Sequence, residues 1–233
     1  MREWSRRAFE LLPTPTGTPF TFGYTLLLLG TSLYMELGDP DTVRALIEGS
    51  STDVQHLTRT PVLVLLASAL WIAGGISSPW AVGFVFILTA LERRVGGVRT
   101  AGVFLAGHVL ATLATEVPVG VSVLAGRLPD SSLHRLDYGI SFGLMASLGA
   151  LAGLLPRPAR WSLLAVMVFL LGQDLLDMVD PLASWGHPLA LLVGVASWPL
   201  LRRAEAGRAR IRRAAVPAVA SAVPDGQVGG YVP

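Results

Sequence analysis

The sequence predicts an all-α integral membrane protein, and composition, hydropathy and span length support that prediction. The 233 residues are 52% hydrophobic and only 15% charged, whereas an ordinary soluble domain carries about 25% charged residues. Mean hydropathy is +0.57, and several apolar segments approach the roughly 20 residues that cross a bilayer. These features argue against a soluble enzyme, a disordered chain and a coiled coil. The chain has no cysteine, which excludes disulfides, thiolate metal sites and cysteine nucleophiles.

The first predicted span is Thr18 to Leu37, whose single charge, Glu36, lies at its far end. Residues 1–17 precede it as an N-terminal segment that contains Arg2, Arg6 and Arg7. The apolar run is longer than the roughly 7–15 residues of a signal peptide, and no small-residue cleavage site follows it. We therefore predict a transmembrane helix.

A partly inserted loop is predicted between the first and second helices. Asp39 to Arg59 is polar and predicts an extramembrane loop with a short helix, whereas Thr60 to Leu91 has no charged residue over 32 positions. That length exceeds one span and falls short of two. Glycine, serine and proline between Gly74 and Pro79 interrupt it. Because non-helical backbone at membrane depth needs cover from protein or a cavity, we predict that Val62 to Trp71 dips partly into the membrane and that the second span runs from about Ser77 to Leu91.

Four further spans complete a predicted six-helix bundle. They are Thr100 to Val117, Tyr138 to Leu155, Trp161 to Met178 and Leu182 to Leu201. The membrane domain therefore covers residues 18–203. Residues 204–233 form a tail that is basic up to Arg213 and is then rich in alanine, proline, valine and glycine, a composition that predicts disorder.

The distribution of arginine predicts the orientation. The chain has no lysine, and six spans place 14 of its 18 arginines on the side of the two termini. The four on the other side are Arg44, Arg59, Arg127 and Arg135. The positive-inside rule then predicts a multi-pass protein of a bacterial inner membrane with both termini in the cytoplasm. The cluster from Arg202 to Arg213 follows an apolar segment directly, so we interpret it as an anchor on anionic lipid and expect no nucleic-acid partner.

Two polar side chains within the spans are the candidates for chemistry, because polar groups at membrane depth are costly. Ser141 opens the fourth span and His187 opens the sixth, and both spans start on the outer side. At about 1.5 Å per residue, Ser141 lies roughly 6 Å below Asp137 and His187 roughly 8 Å below Leu182. The two side chains therefore share one depth.

A serine becomes a nucleophile when a neutral histidine within hydrogen-bond reach takes its proton. Glycines on either side of Ser141, at Gly139 and Gly143, would let another backbone or a substrate approach closely. The alternative is that Ser141 is one of the small residues that pack membrane helices together. Both interpretations stay open on the motif alone.

With these motifs, the sequence resembles the rhomboid family of intramembrane proteins. Rhomboids have six core helices with both ends cytoplasmic, a Gly-x-Ser-Gly motif at the start of the fourth helix, and a histidine on the sixth followed by small residues. The matching segments here are Gly139-Ile140-Ser141, then His187 with Ala190 and Gly194, then Leu91-Glu92 with Gly96, and Leu66 to Trp71. The resemblance covers Thr18 to Arg203.

Two features depart from the family pattern. Phe142 replaces the second glycine of the serine motif. Active rhomboids also carry a histidine and an asparagine, four residues apart on the second helix, which help to stabilise the oxyanion. The matching positions here are Ile76 and Trp80, and neither side chain donates to an oxyanion.

The resemblance implies an intramembrane serine protease without metal or cofactor, in which Ser141 attacks a membrane-tethered protein substrate and His187 is the base. It equally allows a catalytically inactive member that binds transmembrane helices. A third class, a transporter that uses His108 and the carboxylates, lacks the inverted repeat that such proteins often show.

The remaining polar residues have structural interpretations. We predict that His108 forms an interhelical hydrogen bond and that Glu92 pairs with a nearby arginine. Asp174 and Asp177, three residues apart on one helical face, mark with Asp180 the point where the fifth span leaves the membrane. The loop residues His134 and Asp137 are predicted to be solvated.

Overall fold

All regular secondary structure is helical in the computed structural model, which describes residues 12–220 and their side chains as far as residue 210. The predicted all-α class is confirmed for that part of the chain. Two short 3₁₀ segments, Ser68–Leu70 and Asp130–His134, accompany the α-helices. The α-helices are α1 (Pro19–Leu37), α2 (Pro40–Gly49), α3 (Val54–Arg59), α4 (Pro61–Ala67), α5 (Pro79–Val95), α6 (Gly97–Leu124), α7 (Ser141–Ala152), α8 (Arg157–Asp177), α9 (Pro181–Ala196) and α10 (Trp198–Ala220).

Helix starts follow ordinary capping chemistry. α1, α2, α4, α5 and α9 each begin with proline, which is tolerated there because the first N–H of a helix has no intrahelical partner. Asp39 caps α2 by accepting from the N–H of Thr42 at 2.9 Å. Asp53 caps α3 by accepting from the N–H of His56 at 2.9 Å. The predicted polar loop between the first two spans thus holds two short helices where we expected one.

The central helix is α7, which packs against α5, α6 and α9. Its contacts use small residues that let backbones approach. A methyl group on Gly194 of α9 would overlap the carbonyl oxygen of Ala146, and one on Gly149 of α7 would overlap that of Leu191. Small residues at helix contacts are the usual means of close packing in membranes.

The interruption predicted in the long uncharged segment is confirmed. α4 and the 3₁₀ turn Ser68–Leu70 end before an irregular stretch, and α5 starts at Pro79. The turn is tied to α6, because the Nε2 atom of buried His108 lies 3.0 Å from the Ser68 hydroxyl and 3.0 Å from the carbonyl oxygen of Leu65. The prediction that His108 forms an interhelical hydrogen bond is therefore confirmed.

α7 is shorter than the predicted span of Tyr138 to Leu155. It has 12 residues, a length of about 18 Å. Arg160 donates to the carbonyl of the last residue of α7, Ala152 (3.1 Å), and to those of Gly153 (3.0 Å) and Leu155 (2.9 Å) just after it. Since a helix leaves its last four carbonyls without intrahelical partners, these bonds let α7 stop early.

Three more side chains bond α7 and the turn that follows it. Their bonds are Arg94 to the carbonyl of Leu154 (2.7 Å), Arg202 to that of Gly153 (3.0 Å) and the Trp198 indole N–H to that of Gly149 (2.8 Å). The guanidinium groups of Arg160 and Arg202 also lie 5.3 and 4.9 Å from the centre of the Trp198 ring. We call this the Arg160 end of the bundle, and the opposite end, where α7 begins, the Ser141 end.

The prediction that Glu92 pairs with an arginine is wrong. The buried Glu92 carboxylate accepts from the backbone N–H groups of Phe20 (3.0 Å) and Thr21 (2.7 Å) and from the Thr21 hydroxyl (2.7 Å). It therefore caps the first turn of α1 from α5. A carboxylate at a helix N-terminus satisfies free N–H groups and the positive end of the helix dipole together, whereas Arg94 pairs with Glu205 at 3.2 Å.

The predicted last span, Leu182 to Leu201, is divided between two helices. α9 ends at Ala196 and α10 starts at Trp198, with the Ser197 hydroxyl donating to the carbonyl of Gly194 at 2.6 Å. α10 then continues to Ala220, so the first residues after Arg213 are helical where we expected disorder. Residues 1–11 of the predicted N-terminal segment and 221–233 of the predicted tail lie outside the described residues.

Two helices of the described residues are long and apolar enough to cross a membrane, α6 with 28 residues and α8 with 21. α8 exposes much of its apolar surface, including Val166, Val168 and Phe169. α5, α7 and α9 are shorter, with 17, 12 and 16 residues.

Candidate active site

Ser141 lies at the first position of α7, half-buried. The chain reaches it through Gly139, whose φ of +125° is unfavourable for residues with a side chain. The Gly139 N–H donates to the carbonyl of Ser68 at 2.9 Å, and an ideal Cβ on Gly139 would lie 3.7 Å from the carbonyl oxygen of Trp71. The backbone angle at Gly139 thus favours glycine, and the loop lies against the α4–α5 connection at ordinary contact distance.

The loop before α7 is fixed by residues 51 and 52. The Ser51 hydroxyl accepts from the N–H of Asp137 at 3.1 Å, and Thr52 donates its N–H to the Asp137 carbonyl (2.8 Å) and its hydroxyl to the Asp137 carboxylate (2.9 Å). Burial raises the pKa of Asp137 above its ordinary value, and the Thr52 hydroxyl opposes that shift. The prediction that Asp137 is solvated is therefore wrong, whereas His134 is exposed as predicted.

His187 lies in the second turn of α9 and is buried. Asp180 starts this helix by accepting from the N–H groups of Leu182 (3.2 Å) and Ala183 (3.3 Å). Among the described residues, the Nε2 atom of His187 is buried without a hydrogen-bond partner. The imidazole therefore has an unused nitrogen inside the bundle.

Two aromatic rings contact His187. The Trp80 ring lies 5.0 Å from the imidazole, centre to centre, at an interplanar angle of 33°. The Phe142 ring lies at 5.5 Å and 76°, an edge-on arrangement. Phe142 also fills the space above Gly186, where a Cβ atom would overlap its ring. The phenylalanine that replaces the family's second glycine is thus packed against the candidate base.

Ser141 and His187 lie at the same end of the bundle on neighbouring helices, since α7 and α9 pack closely along their lengths. No hydrogen bond joins the two side chains within residues 12–210. Hydrogen bonds between catalytic groups are often long before substrate binds and tighten in the complex. The structure brings the two elements together and leaves the serine–imidazole bond unmade.

The two positions matched to the family's oxyanion residues lie in different environments. Trp80 is in the first turn of α5 and contacts His187. Ile76 precedes α5, is exposed, and lines a pocket with Leu28 and Leu29 of α1. Their spacing of four residues therefore does not place them on one helical face, because α5 begins only at Pro79.

Glu116 of α6 is a buried carboxylate that the sequence reasoning missed. Both of its oxygen atoms are buried without a hydrogen-bond partner among the described residues. A negative charge within the third predicted span was the signal that could have identified it, since ionisable residues at membrane depth are candidates for function by default.

Asp174 and Asp177 are exposed, and Asp177 is the last residue of α8. The Asp174 backbone carbonyl accepts from the Ser184 hydroxyl at 3.0 Å. The helix therefore ends at these acidic residues, and it stays a prediction that the fifth span leaves the membrane there. No group of three or more histidine, cysteine or acidic side chains within the described residues is arranged to hold a metal ion.

Comparison with known proteins identifies the family. A family model described as rhomboid-like protein matches residues 16–207. The chain belongs to the rhomboid-like family. No curated protein and no solved structure matches it. The match covers all of α1 to α9, and membership in this family makes the chain a membrane protein.

Proposed function

We propose that this rhomboid-like protein is an intramembrane serine protease, in which Ser141 is the nucleophile and His187 the general base. The observation that supports it is the buried Nε2 atom of His187, which has no partner among the described residues at the end of the bundle where α7 presents Ser141. Buried polar atoms without a partner are rare and costly. A substrate-bound state in which Ser141 donates to this nitrogen would satisfy it.

The proposed reaction is hydrolysis of a peptide bond in a membrane-tethered protein. His187 accepts the Ser141 hydroxyl proton as the oxygen attacks the carbonyl carbon, and then donates that proton to the leaving amine, which leaves an ester on Ser141. A water molecule, whose proton His187 accepts, then attacks the ester, and the carboxyl product leaves as His187 returns the proton to the Ser141 oxygen. The oxyanion forms beside the start of α7. The first N–H groups of a helix have no intrahelical partner and lie at its positive end, so those of Ser141 and Phe142 are the donors we assign to the oxyanion.

The proposal includes six membrane spans formed by α1, α5, α6, α7, α8 and α9. The membrane domain is then residues 18–203, and both flanking segments lie in the cytoplasm of a bacterial cell. Two observations favour this topology: the exposed apolar surface of α8 and the arginine-bonded end of α7.

A topology reporter fused after Arg203 should be active only inside the cell, and one inserted near Asp130 only outside. External activity of the Arg203 fusion would overturn the six-span topology.

A serine-directed fluorophosphonate tests the reaction, since it labels only an activated hydroxyl. We expect weak labelling of the detergent-purified protein that is lost in both Ser141→Ala and His187→Ala. Ser184→Ala is the matched control, because Ser184 is a serine on the same helix as His187 whose hydroxyl donates to the Asp174 carbonyl. Absence of labelling in protein shown to be folded would overturn the protease assignment.

The second candidate function is binding of transmembrane helices without cleavage. The aromatic contacts of Trp80 and Phe142 with His187 favour it. Trp80 stands where active rhomboids have a polar oxyanion residue, and Phe142 packs an apolar ring against the candidate base. In that case the partner is again a membrane-spanning protein, and co-purification with it would be unchanged by Ser141→Ala.

A further inference from the structure

A groove of about 660 Å³ lies at the Arg160 end between α6, α9 and α10. Its walls are apolar, and small residues of α6 provide the space. An ideal Cβ on Gly102 would meet no atom within 4 Å, and Ala106 follows one turn later. The other apolar wall residues are Val103, Val193, Leu200 and Leu201.

Two arginines flank the opening of this groove, Arg99 from α6 and Arg203 from α10, and both are exposed. Arg99 donates one N–H to the carbonyl of Val95 at 3.1 Å. Neither guanidinium pairs with a carboxylate among residues 12–210, and Glu205, the nearest acidic residue in sequence to Arg203, pairs with Arg94 at 3.2 Å. The opening is therefore positively charged, and its two guanidinium groups have N–H donors that no carboxylate among residues 12–210 uses.

The charged residues lie at one end of the groove, and its apolar wall extends from there in one direction. Arg99 and Ala106 are seven residues apart on α6, so the apolar wall extends about 10 Å along this helix from the arginine. Guanidinium groups bind phosphate with paired, charge-assisted hydrogen bonds. A ligand with an anionic phosphate and a long apolar chain on one side of it fits both parts.

We propose that this groove binds one anionic phospholipid of the cytoplasmic leaflet, with its phosphate between Arg99 and Arg203 and an acyl chain along Gly102 and Ala106. The choice of leaflet rests on the topology proposed above. Basic pockets between membrane helices on the cytoplasmic side are suited to lipid head groups. A phospholipid is favoured over a free phosphate because the groove is apolar beyond its opening.

Native mass spectrometry of the detergent-purified full chain tests the site. Phosphatidylglycerol should be retained at one molecule per protein, and phosphatidylcholine with the same acyl chains far more weakly. Arg99→Gln combined with Arg203→Gln should weaken phosphatidylglycerol binding about thirty-fold, since each arginine contributes about 1 kcal/mol and 1.4 kcal/mol is a factor of ten. Arg44→Gln with Arg59→Gln, which removes the same charge elsewhere, should leave binding unchanged.

Gly102→Leu tests the chain-binding part without a change of charge, because its side chain would fill the open space along the groove. We expect it to weaken phosphatidylglycerol binding while leaving the unfolding temperature close to that of the parent. Glycerol 3-phosphate, which has the phosphate but no acyl chain, should not compete. Equal loss of binding in the two double variants, equal retention of the two lipids, or competition by glycerol 3-phosphate would overturn the proposal.

Lipid retention in detergent does not depend on orientation or on cleavage. Failure of the reporter fusions would therefore leave a lipid-selective groove in place, and failure of lipid selectivity would leave the topology and the protease proposal in place.

Discussion

The two ends of the bundle differ in how their buried carboxylates and other polar groups are hydrogen-bonded. At the Arg160 end, Glu92 receives three hydrogen bonds, and carbonyls in and just after the last turn of α7 are bonded to arginines and Trp198. Towards the Ser141 end, the Nε2 atom of His187 and both oxygens of Glu116 have no partner among the described residues. The Glu92 carboxylate and these carbonyls are bonded by the protein itself, although the Nε atom of Arg93 and the Thr89 hydroxyl nearby have no partner among the described residues. The contrast between the two ends is therefore one between the two buried carboxylates, Glu92 and Glu116, and their surroundings.

The largest effect on stability should come from the Arg160 end. Arg160→Ala removes three hydrogen bonds with a charged donor from carbonyls around the end of α7, and bonds to charged groups contribute about 1.5–3 kcal/mol each. The Gly153 carbonyl keeps its bond from Arg202 and the Ala152 carbonyl keeps the Leu155 N–H, so the total is reduced accordingly. We expect the free energy of unfolding in detergent to fall by about 3 kcal/mol or more. Arg157→Ala is the control, because Arg157 starts the same helix but is exposed. Equal effects of the two changes would contradict the role given to the Arg160 bonds.

At the Ser141 end, we expect a substitution to change the rate of labelling at Ser141. Trp80→Asn replaces the ring that contacts His187 with an amide that can donate to an oxyanion, and one such donor changes rates by about 10²–10³ in known enzymes. Because the backbone around residue 80 is not arranged to aim this amide at the oxyanion, we expect a smaller gain, about tenfold, in the rate of fluorophosphonate labelling. Ile76→His should have no effect, because Ile76 faces α1 and not His187. A gain from Ile76→His but none from Trp80→Asn would reverse this assignment.

The two buried glutamates provide a matched pair with opposite expected signs. Glu92→Met leaves the N–H groups of Phe20 and Thr21 without an acceptor and should destabilise the fold by about 2 kcal/mol. Glu116→Met removes a buried carboxylate without a partner and should stabilise it by about 1 kcal/mol. Thermal unfolding of the two variants against the parent measures both. Destabilisation by Glu116→Met would show that the carboxylate has a stabilising partner.

The smallest effect should be the pH dependence that two loop aspartates contribute. Burial raises the pKa of Asp137, so its favourable contribution is present below the ordinary pKa of aspartate and is lost as pH rises through the higher folded-state value. Bonds from Thr42 lower the pKa of Asp39, and its contribution is lost as pH falls. Stability measured from pH 3 to pH 8 should therefore change with opposite sign on Asp137→Asn and Asp39→Asn. Slopes of the same sign would contradict one of these environments.

The sequence predicted features that depend on local composition. Glycine and proline around Gly74 correctly predicted the break before α5, and a histidine among apolar residues correctly predicted the interhelical bond of His108. Orientation and the number of spans stay predictions, because length and hydropathy single out only α6 and α8 within the described part of the chain.

The features that could not be predicted depend on residues far apart in sequence. The end of α7 is bonded by Arg160 at Ala152, and the turn that follows is bonded by Arg94 and Arg202 at Leu154 and Gly153, so the donors come from three other segments. Glu92 was assigned to a neighbouring arginine, since nothing local indicates that its partners lie 71 and 72 positions earlier. The contact of Trp80 with His187 likewise joins α5 to α9, and no periodicity within either helix indicates it.

Ser68 joins two bonds that are otherwise unrelated, one from its hydroxyl to His108 and one from its carbonyl to the N–H of Gly139. It belongs to the short segment that we predict to dip partly into the membrane, so under that prediction the bilayer as well as the protein sets the depth of this segment. In a bilayer whose thickness does not match the protein, hydrophobic mismatch displaces such segments at modest cost. Gly139 is two residues from Ser141, so under the proposed function a change in lipid thickness would reach the serine, and we expect its labelling to depend on the thickness of the surrounding membrane.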